Sequence, residues 1–250
     1  MPHGQAPRYT LSSPYSLAAT RPLHVLLFLL PLLIAYEIGS IVYLSGQGSG
    51  EAVLGARRLF AAFFEAFGAA GLHAPPILVV VVLLIWHLML RDPGKPRPWV
   101  LVGMGLESCV WAVPLLVFSL VLAGRTPAMA GVVAPSSWEA RLTVAIGAGI
   151  YEELIFRLLL ISAAHFVLVD LLRLKDRMAN GIAVVISAGA FVLLHHFYPP
   201  MGVAMTARAM MFFAVAGAYF SIVFLTRGFG VVVVTHALYD TVVLLAFPYP

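Results

Sequence analysis

Long apolar stretches alternate with short polar joints along this chain, and the stretches have the length of helices, not strands. Runs at 24–43, 76–90, 99–123, 139–172, 181–196, 206–225 and 229–247 are mostly apolar. About 20 apolar residues cross a bilayer core as an α-helix. Lipid offers no hydrogen bonds, so a spanning backbone must satisfy itself as a helix or a closed barrel. The pattern predicts an all-α, polytopic transmembrane helical bundle of about seven spans. The second and fifth runs are short. The fourth, at about 34 residues and ~51 Å, exceeds a bilayer core and must tilt, break or project. The segment 52–70, "AVLGARRLFAAFFEAFGAA", places Phe60, Phe63, Phe64 and Phe67 at helical spacing among Arg57, Arg58 and Glu65. It predicts an interfacial amphipathic helix, with a short eighth span as the alternative.

Composition sharpens this. Of the 250 residues, 62% are hydrophobic and 10% charged, against about 25% charged in soluble domains. A water-soluble enzyme, a nucleic-acid binder and a disordered chain are excluded. No repeat or low-complexity tract divides the chain, so residues 1–250 read as a single membrane domain. The basic residues include only two lysines, Lys95 and Lys175, in an Ala/Gly/Val/Leu-rich chain, a bias of GC-rich bacterial genomes. The polar N-terminal stretch lacks a cleavage signature, so the first apolar helix is expected to remain as an anchor. With the N-terminus inside, inner segments hold Arg8, Arg21, Arg91, Lys95, Arg97, Arg173, Lys175, Arg177 and Arg227. Outer segments hold Arg57, Arg58, Arg125, Arg141 and Arg208. This bias favours a multi-pass inner-membrane protein with a cytoplasmic N-terminus. The single cysteine, Cys109, is expected to be a small buried core residue.

Ionisable groups inside the spans are costly and point to function. The candidates are Glu37, Glu107, Glu152, Glu153, Arg157, His165, His195, His236 and Asp240. In "EELIFR", Glu153 and Arg157 are i and i+4, acid before base, the order that pairs well on one helix face. Glu152 lies about 100° around the helix from Glu153 and ~140° from Arg157, so it is the carboxylate less well placed for that pair and the candidate general base. In "FVLLH", Phe191 and His195 are i and i+4. In "HALYD", His236 and Asp240 are too, so Asp240 is expected to hold the imidazole in one tautomer. A base for water plus donors for a developing oxyanion is a hydrolase inventory. The blander reading of these groups is a structural ion pair with packing histidines. No His-Glu-x-x-His, Gly-x-Ser-Gly or Gly-x-Gly-Asp motif occurs; no cofactor or metal is expected, although His and Glu can bind zinc outside a standard motif.

Three motifs in order, Glu-Glu-x-x-x-Arg, Phe-x-x-x-His and His-x-x-x-Asn/Asp, on three apolar spans resemble the CPBP family of intramembrane proteases. That family includes the CAAX-prenyl endopeptidases and bacteriocin-processing or self-immunity proteins. The resemblance extends over about 142–245 and makes 139–247 the catalytic helical core; residues 1–130 show no match and form variable N-terminal spans. It implies a glutamate-dependent, metal-independent endopeptidase. Glu152 would activate water, and His195 would position or polarise it. His236 and Asp240 would form the oxyanion site, and Glu153, Arg157 and Phe191 would support them. The last position departs from the Asn of the eukaryotic enzymes. An ionised Asp cannot donate to an oxyanion, so Asp240 would orient His236 or act when protonated.

The expected reaction is hydrolysis of a peptide bond near a membrane-anchored or tail segment of a protein substrate. Partners are that membrane-associated protein or peptide and the bilayer, with no nucleic acid; the sequence carries no signal for an oligomeric state. The competing reading is a non-enzymatic membrane scaffold or self-immunity protein on the same fold. A small transporter using Glu37, Glu107 and His87 as a relay is a third.

Overall fold

The computed structural model describes residues 14–44, 74–90, 95–123, 137–197 and 205–246, and every regular element among them is helical. The segment 52–70 lies outside the described residues. The elements are α1 (Pro14–Ala19), α2 (Pro22–Leu44), α3 (Ala74–Leu90), α4 (Pro98–Ala123), α5 (Trp138–Leu171), α6 (Asp176–Phe197), α7 (Ala207–Arg227) and α8 (Phe229–Ala246). Six of them, α2 and α4–α8, are long and apolar enough to cross a membrane, and α3 is a shorter apolar helix. At 17 residues and about 25 Å, α3 is at the lower limit for a span. The predicted run at 181–196 proves longer, because α6 begins at Asp176.

Local chemistry sets the helix ends. Ser137 and Thr206 accept the backbone N–H groups of Ala140 and Ala209, each at 3.2 Å, and so cap α5 and α7. Pro22 opens α2, where a missing N–H costs nothing. Only Gly228 separates α7 from α8, at φ +86, a conformation that side chains disfavour.

α4 shows most plainly which solvent the fold suits. Val102, Leu106, Val110, Val113, Val117 and Val121 form a continuous exposed stripe at helical spacing. In water such a stripe would be an aggregation surface; against acyl chains it is matched. Cys109 belongs to this exposed side of α4, contrary to the expected core position. In a bilayer a thiol is apolar enough to face lipid, so exposure carries no penalty there.

The helices run antiparallel in a consistent order. Arg97 N–H donates to His24 Nε2 at 3.2 Å, which puts the starts of α2 and α4 on one side. The link from Leu90 to Arg97 reaches about 25 Å when fully extended. Were α3 parallel to α2, Leu90 would lie over ~30 Å from His24, so α3 is antiparallel. The ends that bracket residues 45–73 therefore lie on the same side: Ile38 and Pro76 line one crevice of about 440 Å³ between α2 and α3.

Near the start of the bundle a polar corner ties α1, α4 and α7. Glu107 accepts from Tyr15 Oη and Arg227 Nη2, both at 2.8 Å, and from Trp111 Nε1 at 3.3 Å. Burial and the Glu107 carboxylate push the Tyr15 phenol up to about 12, which keeps it a donor. Glu107 is thus engaged in a structural corner, while Glu37 lines the α2–α3 crevice; the relay reading of Glu37, Glu107 and His87 gains nothing from this arrangement.

Candidate active site

The polar residues singled out in the sequence converge between α5, α6 and α8, with α7 closing the back. Glu152, Glu153, Arg157, His195, His236 and Asp240 are all buried, Glu153 and Arg157 completely. Small residues on α5 make this possible. A Cβ on Gly149 would stand 2.7 Å from the carbonyl oxygen of Val233 and 2.9 Å from the nitrogen of Ala237. The missing side chain lets the two backbones approach and brings Glu153 against His236.

The long fourth run does not break; it widens. It is α-helical over Trp138–Glu153 and then turns with i→i+5 spacing over Leu154–Ile161 and again over Phe166–Leu171. The change falls immediately after the two glutamates. Wide turns loosen the carbonyl ladder and recur at functional sites. Here Ser187 Oγ of α6 donates to the Phe156 carbonyl at 3.0 Å, supplying a partner from the neighbouring helix.

Arg157 lies at the centre of the support. Its Nη1 donates to Glu153 Oε1 at 2.9 Å and its Nη2 to the Gly217 carbonyl at 3.1 Å. Its guanidinium also lies over the rings of Phe191 at 4.8 Å and Phe220 at 5.4 Å, a favourable placement for a desolvated cation. The predicted Glu153–Arg157 pair is therefore present, with a carbonyl and two rings added that local spacing does not encode.

The histidines are held differently from expectation. His236 Nδ1 lies 2.7 Å from Glu153 Oε1, the same oxygen that binds Arg157. A carboxylate can only accept, so Nδ1 carries a proton and Glu153 sets the ring orientation. Asp240 Oδ2 is 3.5 Å from the other nitrogen, Nε2. Glu153 thus joins Asp240 as a second carboxylate against the His236 ring, one at each nitrogen. One helical turn brings Asp240 alongside the ring, but the interhelical contact is shorter and better placed. His195 Nδ1 donates to the Phe191 carbonyl at 2.8 Å, an i, i+4 contact that leaves Nε2 directed inward.

The two Nε2 atoms flank one carboxylate oxygen. Glu152 Oε2 is 3.9 Å from His195 Nε2 and 3.8 Å from His236 Nε2. These separations are too long for direct hydrogen bonds and short enough for a bridging water or a substrate oxygen. Among the described residues, no group of three or more His, Cys, Asp and Glu has an arrangement that could hold a metal ion. Of the other intramembrane groups, His165 lies away from this centre, 4.0 Å from Asp176.

Sequence reasoning missed the contribution of α7. Phe213 stacks on His195, Phe220 stacks on His236, and the Gly217 carbonyl binds Arg157. The signal was the spacing 213, 217, 220, one face of a helix.

Comparison with known families covers the same part of the chain. The model of the family described as Rce1-like, type II CAAX prenyl endopeptidase Rce1-like, matches residues 134–242. That span contains the glutamates, both histidines, Arg157 and Asp240. No curated protein and no solved structure matches the chain. Residues 134–242 of this multi-pass membrane protein are thus similar to the Rce1-like family of type II CAAX prenyl endopeptidases.

Proposed function

We propose that the protein is a glutamate-dependent, metal-independent endopeptidase that cuts a peptide bond near the membrane-held tail of a protein substrate. The observation that carries this reading is the approach of one Glu152 oxygen to the Nε2 atoms of His195 and His236, each from a different helix, in a buried centre. Similarity to the type II CAAX prenyl endopeptidase family suggests a C-terminal, lipid-bearing tail as the substrate class.

The chemistry follows from the donors and acceptors. His195 has its Nδ1–H committed to Phe191, so its Nε2 lone pair can accept from a water and orient it toward Glu152. Glu152 takes a proton from that water, and the resulting hydroxide oxygen bonds to the scissile carbonyl carbon. His236, when it carries both protons, donates Nδ1–H to Glu153 and Nε2–H to the oxyanion. The carbonyl then re-forms, the C–N bond breaks, and Glu152 returns its proton to the leaving amine. Asp240, 3.5 Å from Nε2, orients the donor.

The orientation we assign places α1 and the starts of α2 and α4 in the cytoplasm. Arg21, Lys95, Arg97, Arg173, Lys175, Arg177 and Arg227 cluster on that side, against Arg141 and Arg208 on the other.

An internally quenched, prenylated CAAX peptide in detergent micelles tests the hydrolysis. Glu152→Gln should reduce cleavage to background while the protein still inserts and elutes as the wild type does. A zinc chelator should leave the wild-type rate unchanged. Full activity of Glu152→Gln would overturn the reading, and loss on chelation would overturn its metal independence.

A further inference from the structure

α7 carries none of the three motifs, yet its inner face touches both histidines. Phe213 and Phe220 are seven residues apart, which is two helical turns and about 20° of drift, and Gly217 lies on the same stripe between them. Phe213 is nearly parallel to His195, at 24° with centroids 4.0 Å apart. Phe220 is nearly parallel to His236, at 18° and 4.4 Å. Both phenylalanines are buried. Other aromatic neighbours in this core stand more open: Phe212 is edge-on to Phe213 at 5.5 Å, and Phe156 to Phe191 at 5.3 Å. Close, nearly parallel contact occurs where the partner is an imidazole of the site.

Each histidine needs this second restraint. One hydrogen bond through Nδ1 fixes a point on the ring but leaves its plane free to rock. His195 is confined between Phe191, at 4.6 Å, and Phe213. His236 lies against Phe220 and meets Phe191 only edge-on at 6.3 Å. Rocking either ring would swing Nε2 away from the Glu152 oxygen that both flank.

We propose that Phe213 and Phe220 are positioning residues: flat plates on α7 that hold His195 and His236 with Nε2 directed at Glu152. The inference rests on the hydrolytic reading for its kinetic consequence but not for its structural one. Gly217 serves the same stripe, because a Cβ there would stand 2.9 Å from Ala188 Cα and push α7 off α6.

The test compares three leucine variants on one helix. Phe213→Leu and Phe220→Leu keep bulk and apolarity but lose the flat face. Phe212→Leu is the control, since Phe212 is equally buried and stacks on Phe118 and Tyr239 instead. With the quenched peptide, Phe213→Leu and Phe220→Leu should lower kcat by about 10- to 100-fold with KM nearly unchanged, the scale of a small misplacement. Phe212→Leu should lower Tm without a comparable loss in kcat, and Phe213→Tyr should restore most of the rate. Nitrogen NMR of histidine-labelled protein needs no substrate. Phe213→Leu should broaden or average the ring signals of His195 alone, and Phe220→Leu those of His236 alone. Equal kinetic losses in all three variants, or unchanged histidine signals in both site variants, would overturn the proposal. Selective NMR changes alongside an active Glu152→Gln would sustain the positioning role and sink the glutamate-dependent reading instead.

Discussion

Glu153 and Arg157 show how much one buried residue can be asked to do. A single oxygen of Glu153 receives both Arg157 and His236. Both members of the pair are fully buried, so removing the cation leaves an uncompensated carboxylate, which costs about 3–5 kcal/mol. Arg157→Met should therefore lower Tm sharply in detergent. The double variant Glu153→Gln, Arg157→Met removes both charges and should recover much of that stability, as ion-pair replacements often do. It should not recover peptide cleavage, because the neutral amide that replaces the Glu153 carboxylate cannot hold the His236 ring as firmly. Thermal unfolding and the quenched-peptide assay on the same two proteins separate these effects; recovery of both together would show that Glu153 acts only as a counter-ion. The pair was legible in the sequence because i, i+4 spacing is a local property. The hold of Glu153 on His236 was not, since it joins positions 83 apart that only helix packing brings together. The same holds at His236 as a whole: local spacing offered Asp240 as its one carboxylate partner, and packing supplied a second, closer one in Glu153.

At the scale of elements, the site depends on where α5 changes its winding and how closely it meets α8. Apolar length predicted the extent of α5 well, from 139–172 expected to Trp138–Leu171 observed. The wide turns starting at Leu154 left no comparable trace, since apolar residues suit either winding. The close approach at Gly149 could be read only as an isolated glycine until its neighbour was known. Gly149→Ala should force α5 and α8 apart by several tenths of an ångström, because the new methyl would meet backbone atoms of Val233 and Ala237 that cannot yield. Overpacking of this kind costs about 1–3 kcal/mol. The substitution should lower Tm and, by lengthening the Glu153–His236 contact, lower kcat more than it raises KM. Gly189→Ala is the matched control, as no atom lies within 4 Å of a Cβ built there. Equal behaviour of the two variants in thermal melts and kinetics would contradict the tight-approach account.

For the whole molecule, the antiparallel order of helices fixes which loops share a side, and the bias of basic residues is the ground for the cytoplasmic side proposed above. The two statements have different physical grounds and can fail separately. The order rests on short contacts that link like ends: His24 with Arg97, Tyr15 with Glu107, and Arg227 with Glu107. Seven passes from α2 to α8 put Ala246 opposite Pro22. The assignment of side rests on seven basic residues against two among those described, with Arg157 excluded because it is paired inside the bundle. Single cysteines report on both. In a Cys109→Ser background, Lys175→Cys and Arg208→Cys place exposed thiols on opposite sides. A membrane-impermeant maleimide should label Arg208→Cys in intact cells and Lys175→Cys only after permeabilisation. The reverse pattern would keep the order of passes and invert the orientation. Labelling of both in intact cells, or of neither, would overturn the antiparallel order itself, and with it the arrangement that brings α5, α6 and α8 together around Glu152.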